Sequence, residues 1–296
     1  MKFAAIDIGS NAIRLLFVNV YETKNGPVFH KDELLRVPVR LGEDAFLAGR
    51  ISDEKVEQVI KTMTVMRMLI DIHKANAYKA CATSAMRDAE NGAEILRLVR
   101  EKAGIEIEIL PGEAEASLIM QYPLKQAGID PLGNYLYIDV GGGSTEFALL
   151  SGGDMLRNYS ANIGTLRLLN DTVTDDAWKV LMKWLMEVKA DFPGLTAIGV
   201  GGNINKVMKM YGKQGKLYLA PATLKKVMAY IDGLSMVERV RDLGLKPDRA
   251  DVIVPALRIY INALKWAGID KIYVPKQGLS DGIVNSLYKS YKLNMQ

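Results

Sequence analysis

The apolar positions of this chain change period several times, and the changes mark out its elements. Lys2–Asp7 and Ile13–Tyr21 are nearly continuous apolar runs on either side of a polar turn, the pattern of a hairpin, and Glu33–Arg40 reads as a third strand. The period then becomes helical. Val56, Ile60, Met63, Val65, Met66, Leu69 and Ile70 form a stripe that predicts a helix from an N-cap at Ser52 to about His73. A short buried strand is expected over Ala77–Thr83, a helix over Gly92–Lys102 and a strand over Ile105–Leu110. A further helix is expected over Glu113–Tyr122, separated from that strand by Pro111-Gly112.

After the turn-rich stretch from Ala127 to Gly133 the same order restarts. Asn134–Asp139 and Thr145–Leu150 form a second hairpin, and Met155–Ala161 a third strand. A long helix follows from about Asp175 to Phe192, then a strand over Thr196–Val200 and a helix over Asn203–Tyr211. Helices near Pro221–Asp232, Ser235–Arg241 and Val252–Trp266, a strand at Lys271–Val274 and a last helix after Gly282 complete the chain. Hairpin, strand, helix, strand, helix thus occurs twice. The repeat predicts an α/β protein of two similar domains, residues 1–125 and 126–282, with a cleft between them and a final helix, 283–296, free to return to the first.

Both hairpins turn on nearly the same residues. Ile6-Asp7-Ile8-Gly9-Ser10-Asn11 ends the first strand, and Ile138-Asp139-Val140-Gly141-Gly142-Gly143-Ser144-Thr145-Glu146 joins the second pair. A carboxylate at a strand end can hold a cation or orient a water. The glycines let the backbone turn tightly and offer N–H groups to an anion, and a triple glycine between two strands is costly for structure alone. Four further segments have suitable chemistry and a plain structural alternative. Thr83-Ser84 opens a helix with Arg87 close behind, a phosphate grip or only a helix cap. Glu113 and Glu115 start another helix, where the dipole favours acidic residues whatever the function. Gly201-Gly202-Asn203 is a glycine turn between strand and helix, and Gly278–Gly282 opens the last helix, where a cap would suffice.

Bulk properties narrow the chemistry. The 296 residues are comfortable for two domains, and no apolar run is long enough to span a bilayer. The chain starts directly in a strand without a basic-then-apolar leader, which with one cysteine suggests a reducing cytoplasm. Cys81 lies in an apolar run and reads as a small buried hydrophobe. With His30 and His73 the only histidines, general-base work is expected to fall to carboxylates. A net charge of +4 fits an anionic substrate, and the dispersed basic residues do not suggest nucleic acid.

Taken together, Ala5–Asn11 with Ile13–Leu16, Ala82–Ala85 with Arg87, Gly112–Ala116, Asp139–Glu146, Gly164 with Arg167-Leu168, Gly244–Ile253, and Gly278-Leu279 with Asp281-Gly282 resemble one family. It is the exopolyphosphatase / guanosine pentaphosphate phosphohydrolase (Ppx/GppA) family, a branch of the actin, sugar-kinase and heat-shock-chaperone superfamily. The resemblance runs from the first strand to the last helix. It implies two actin-like (ribonuclease H-like) domains, an active site in the interdomain cleft, and Mg²⁺ or another divalent cation. The implied reaction is removal of the terminal phosphate from inorganic polyphosphate, expected as short chains, or from guanosine pentaphosphate, by a cytoplasmic homodimer.

Under the resemblance Glu115 is the general base, while Asp139 and Glu146 hold the metal and the attacking water, with Asp7 a further metal candidate. Ser10, Asn11, Arg14, Arg87, Gly141, Gly142, Gly143, Ser144, Thr145, Gly202 and Asn203 are the expected phosphate contacts. Ala114, Ser117, Asn203 and Ser280 depart from the family pattern, and the short two-domain form, without the extra C-terminal helical domains of the long members, is expected. Two alternatives stand beside hydrolysis: a kinase of the same superfamily, and a non-catalytic sensor of guanosine nucleotides.

Overall fold

The structure, a computed structural model, describes residues 1–119, 124 and 128–294. The end of the expected Glu113–Tyr122 helix and the expected domain boundary at residues 125 and 126 lie outside them. Contacts divide the chain into two compact units, Met1–Tyr122 with Leu279–Gln296, and Pro123–Gly278.

In unit 1, β1 (Lys2–Ile8) and β2 (Ile13–Thr23) form the first hairpin and β3 (Gly26–Val37) a second one with β2. Then come α1 (Leu41–Leu47), α2 (Asp53–Ile72), β4 (Ala77–Ala82), α3 (Ser84–Asp88), α4 (Gly92–Ala103), β5 (Ile107–Ile109) and α5 (Gly112–Ile119). The sheet order is β3-β2-β1-β4-β5, with β4 and β5 parallel to β1. Its core joins Ile6, Ile8, Leu15 and Phe17 to Met63, Met66 and Ile70 of α2 and Ile95 and Val99 of α4.

Unit 2 repeats the plan. It holds β6 (Tyr135–Val140), β7 (Thr145–Ser151), β8 (Asp154–Ala161), α6 (Thr165–Leu169), α7 (Asp175–Asp191), β9 (Thr196–Val200) and α8 (Gly202–Tyr211). It continues through β10 (Tyr218–Leu219), α9 (Pro221–Asp232), α10 (Met236–Arg241), α11 (Pro247–Ala250), α12 (Ile253–Ala267) and β11 (Ile272–Tyr273). Read from β8, the sheet runs β8-β7-β6-β9-β11, the order of unit 1, with β10 added at the end. The last helix, α13 (Leu279–Leu293), packs on β1, β4 and α5 of unit 1. There Tyr288 meets Phe3 and Phe29 edge-on and donates a 2.7 Å hydrogen bond to Glu22, while Lys31 pairs with Asp281 at 2.7 Å.

Several elements differ from expectation, each for a tertiary reason. The third strand starts at Gly26 and stops at Val37, because Arg40 adopts a left-handed conformation (φ 54°) to open α1, which the apolar pattern does not announce. Ser52 occupies the N-cap position, but its hydroxyl donates at 2.5 Å to Asp44, a carboxylate fixed by Lys55, and does not cap α2. An ionised acceptor outcompetes a backbone N–H for that hydroxyl. Val65 is exposed: Val59, Met63, Met66 and Ile70 make the buried stripe, and Val65 falls outside it. The last helix begins at Leu279, so Gly282 lies inside it.

Candidate active site

In both units the polar residues singled out in the sequence collect at the carboxyl ends of the central strands, the end at which open α/β sheets offer backbone turns to ligands. In unit 1 the pairing of Ile8 with Ile13 is followed by a hydrogen bond from Gly9 N–H to Ala12 O at 3.1 Å, leaving Ser10 and Asn11 at the tip. The tip is fixed from both sides. Ser10 Oγ meets Ser84 Oγ of α3 at 2.8 Å, while Gly42 and Arg40 N–H donate to the Ser10 and Asn11 carbonyls. Asp7, only 3% exposed, lies opposite Arg14 in the register and accepts a 2.6 Å ion-pair hydrogen bond from it.

Glu115 sits in the first turn of α5 and is 8% exposed, whereas Glu113 is exposed. Asp7 and Glu115 lie close enough to Cys81 for both charges to act on its thiol. Burial, with those carboxylates adding to it, pushes that thiol up to about 12, so Cys81 is an inert core residue, as its apolar surroundings predict. Arg87 is half-buried. Its Nη1 donates to the Leu110 carbonyl at 2.9 Å and its Nε lies 3.5 Å from Asp88, so the side chain ties α3 to the end of β5 whatever else it binds.

Unit 2 builds the equivalent turn with different side chains. Gly141 N–H donates to Ser144 O at 2.9 Å, leaving Gly142 and Gly143 at the tip. The Gly142 carbonyl accepts from Leu166 N–H (2.8 Å) and Arg167 N–H (3.4 Å), and the Gly143 carbonyl from Arg167 Nε (2.9 Å), so α6 grips the back of the tip. Such an approach requires glycine at 164: a Cβ there would stand 2.3 Å from the Gly142 oxygen and 2.4 Å from the Gly143 carbonyl carbon. The N–H groups of Gly142 and Gly143 meet no acceptor among the described residues.

Where unit 1 sets Arg14 opposite Asp7, unit 2 sets Glu146 opposite Asp139. Two carboxylates directly across an antiparallel pair repel. Glu146 is buried and oriented by hydroxyls, accepting from Ser144 Oγ at 2.5 Å and Ser160 Oγ at 3.2 Å. Ser144 and Thr145, expected as phosphate contacts, thus turn inward: Ser144 serves Glu146, and fully buried Thr145 donates to the Ile163 carbonyl. At the tip itself Gly142 and Gly143 offer only backbone groups.

Beside Asp139, β9 ends in Val200 and the chain turns at Gly201 with φ 105°, 3.0 Å from Asp139 Oδ1 by its missing Cβ. A positive φ and that closeness both demand glycine. The guanidinium of Arg249 lies against Gly202, at the start of α8 with Asn203. Beneath the turn, fully buried Tyr260 of α12 donates to the Val200 carbonyl and approaches that of Ile138 at 3.4 Å. Burial first, and then the Asp139 charge, hold this phenol well above its usual range. Ser160, Arg167 and Tyr260 were not singled out by the sequence for a part in this site. Arg167 stood in a recognisable motif without a role, while Ser160 and Tyr260 read as ordinary strand and helix residues.

No group of three or more metal-ligating side chains occurs among the described residues. The donor set at β6–β7 is two carboxylates. It suits a hard divalent cation that completes its shell with water and substrate oxygens, as Mg²⁺ does, and does not suit a soft metal. Asp7 is already neutralised by Arg14.

A model of the Ppx/GppA phosphatase family matches residues 20–291. The bifunctional 3-dehydroquinate synthase/phosphatase of Fusobacterium nucleatum is 29% identical, covering 92% of this chain but 44% of its own length, so the chain spans less than half of that relative. Exopolyphosphatase 1 of Mycobacterium tuberculosis is 25% identical and is matched over 87% of its length, with 96% of this chain covered. Among solved structures, an Aquifex aeolicus member of the Ppx/GppA protein family has a TM-score of 0.76 at 26% identity, covering 98% of each chain. An exopolyphosphatase from Cytophaga hutchinsonii has a TM-score of 0.82 over 98% of each chain; at 21% identity that likeness concerns the fold.

Proposed function

The chain belongs to the Ppx/GppA phosphatase family, and from that premise we propose that it hydrolyses phosphoanhydride chains in the cytoplasm as a homodimer. On this reading it releases terminal phosphate from inorganic polyphosphate, guanosine pentaphosphate, or both. Membership favours hydrolysis over the kinase and sensor alternatives. No helix among the described residues is long and apolar enough to cross a membrane.

The observation that carries the reading is the asymmetry of the two hairpins. Unit 1 sets Arg14 opposite its strand-end carboxylate, whereas unit 2 sets a second carboxylate, Glu146, opposite Asp139 behind a glycine tip. A carboxylate pair beside N–H groups that meet no acceptor among the described residues fits a cation and an anion arriving together, as they do with a metal-bound phosphate chain. A divalent cation held by Asp139 and Glu146 would supply charge neutralisation for the transferred phosphoryl group.

The chain's own residues do the rest. Gly142 and Gly143 N–H groups hold phosphoryl oxygens, and the Ser10-Asn11 tip, Arg14, Arg87, Gly202 and Asn203 are further contacts. Ser144 and Ser160 keep Glu146 oriented, and Tyr260 fixes the Val200–Gly201 turn beside Asp139. Glu115 takes the proton of the attacking water, a role open to a buried carboxylate in a chain so poor in histidine.

The test is phosphate release from tripolyphosphate, long-chain polyphosphate and guanosine pentaphosphate, side by side, with Mg²⁺ and with chelator. Release that needs Mg²⁺ from at least one substrate is expected. No release from any of them, or consumption of ATP only with an added acceptor, would overturn the reading.

A further inference from the structure

Unit 2 carries a second group of charges away from its glycine turn. Tyr218 of β10 pairs with Tyr273 of β11, their rings edge-on at 6.2 Å, and Tyr135, the first residue of β6, stands 6.5 Å from the Tyr273 ring. Asp139 lies four positions after Tyr135 along β6, about 13 Å at the usual strand rise. The ammonium of Lys271 lies 4.6 Å from the centre of the Tyr218 ring and 4.3 Å from that of Tyr273, and donates to the Tyr273 hydroxyl at 2.6 Å. Lys216 lies 5.3 Å from the Tyr218 ring centre and donates to that hydroxyl at 3.1 Å. The hydrogen bond from Lys216 holds the Tyr218 phenol below its usual range, and the charges of Lys216, Lys271 and Lys213 add to the effect.

Lys213, Lys216 and Lys271 form no ion pair among the described residues. The charge of Asp130 acts on Tyr135 at the edge of this group of rings. Cation–π contacts and phenol oxygens therefore hold the ammoniums in place without cancelling them. Gathering like charges is unfavourable unless an anion offsets it.

We propose that Lys213, Lys216 and Lys271 form an anion site that holds the body of a linear polyphosphate chain, outside the residues that carry the chemistry. The ligand class rests on the hydrolase reading above. Two features favour a phosphate chain over a nucleic acid or a single enclosed anion. Lys216 and Lys271 lie against the Tyr218 ring and Lys271 against the Tyr273 ring, so the faces they cover offer charge and are closed to stacked bases. Lys213 and Lys216 are exposed on the loop between α8 and β10, so the charges lie on an open surface and not in a buried cradle. A ligand with repeated charges can meet each in turn.

The test uses the full chain with chelator present, so that binding is read without turnover. Affinity for long-chain polyphosphate is measured across a salt series for the wild type and for the triple variant Lys213→Gln, Lys216→Gln, Lys271→Gln. The variant should bind at least about tenfold more weakly at low salt. Its slope of log affinity against log salt should be smaller by about 2, from three contacts at roughly 0.7 each on a flexible single chain. Its turnover of tripolyphosphate, too short to need the site, should stay at the wild-type value, and the corresponding triple Lys→Arg variant should bind as the wild type does.

Unchanged affinity and slope in the Gln variant would overturn the proposal. So would tighter, lysine-dependent binding of a ribohomopolymer than of polyphosphate, which would make the surface a nucleic-acid site. If the wild type releases no phosphate yet binds polyphosphate through these lysines, the hydrolase reading fails and the site stands. Turnover combined with lysine-independent binding gives the reverse.

Discussion

Replacing Gly164 by alanine tests the glycine tip directly. At φ −133° and ψ 168° the backbone there suits any residue, so the substitution carries no conformational strain of its own. Its effect is steric. The new Cβ would stand 2.3 Å from the Gly142 oxygen and 2.4 Å from the Gly143 carbonyl carbon, both backbone atoms that cannot rotate away. The tip and the start of α6 must separate by on the order of 1 Å, a displacement that can cost an active site about 10²-fold in rate.

Overpacking of this kind costs about 1–3 kcal/mol, and weakening the bonds from Leu166 to the Gly142 carbonyl and from Arg167 to that of Gly143 adds roughly 1 kcal/mol each. At about 2–4 °C per kcal/mol for a unit of this size, Tm should fall by on the order of 10 °C. The control is Gly194→Ala, where φ is 82° and no atom lies within 4 Å, so only the left-handed backbone is penalised, by about 1–2 kcal/mol. Thermal melts with and without Mg²⁺, and phosphate release measured well below both transitions, give the comparison. Gly164→Ala melting within about 2 °C of wild type would refute the packing argument. A large loss of stability with full activity at low temperature would show that the tip does not bind the reacting phosphate.

Three further outcomes follow from the geometry. Glu115→Gln should lower phosphate release by roughly 10²–10⁴ while Km holds or falls, and Glu113→Gln, at an exposed position of the same helix turn, should do far less; the reverse pattern would name the other carboxylate as base. Arg87→Ala should raise Km and also lower Tm, because the Leu110 carbonyl loses a charged donor worth about 1.5–3 kcal/mol; a lower Tm with an unchanged Km would leave Arg87 a purely structural residue. Burial, with the bond to Glu22, pushes the Tyr288 phenol up to about 12, so its contribution to folding is complete below the unfolded value near 10 and is lost as pH rises towards 12; wild-type Tm should therefore fall more steeply than that of Tyr288→Phe across that window, and parallel curves would refute the clamp on α13.

Local chemistry made much of this protein legible before its tertiary structure. The apolar periods of β1, β2, β6, β7 and α2, and the Asp-Gly turns after β1 and β6, depend on residues a few positions apart, and they fall where the sequence pattern puts them. The repeat of hairpin, strand and helix is likewise a local order written twice, and it reappears as two sheets of matching strand order. Cys81 was readable as inert for the same reason: it lies within an apolar strand, and the structure buries it completely. Val65 and Ser52 are the limit of such reading. A helical stripe is wide enough to include a residue that faces solvent, and a hydroxyl at an N-cap goes to the strongest acceptor in reach, here a carboxylate eight residues earlier.

What the two hairpins can do was decided by register and by distant packing. Only the pairing of β1 with β2 shows that Arg14 neutralises Asp7, and only that of β6 with β7 shows that Glu146 opposes Asp139. Gly164 stands out as a motif residue, but the backbone it must admit belongs to a turn some twenty positions away. Tyr260 lies 60 residues from the carbonyl it holds, and Lys271 and Lys216 meet at Tyr218 only because β10 pairs with β11. Periodicity and turn chemistry are set by neighbours in sequence, so the sequence alone determined the elements and their order. The partner of a charge or a hydroxyl is whatever the folded chain brings within 3 Å, and that only the tertiary structure decided.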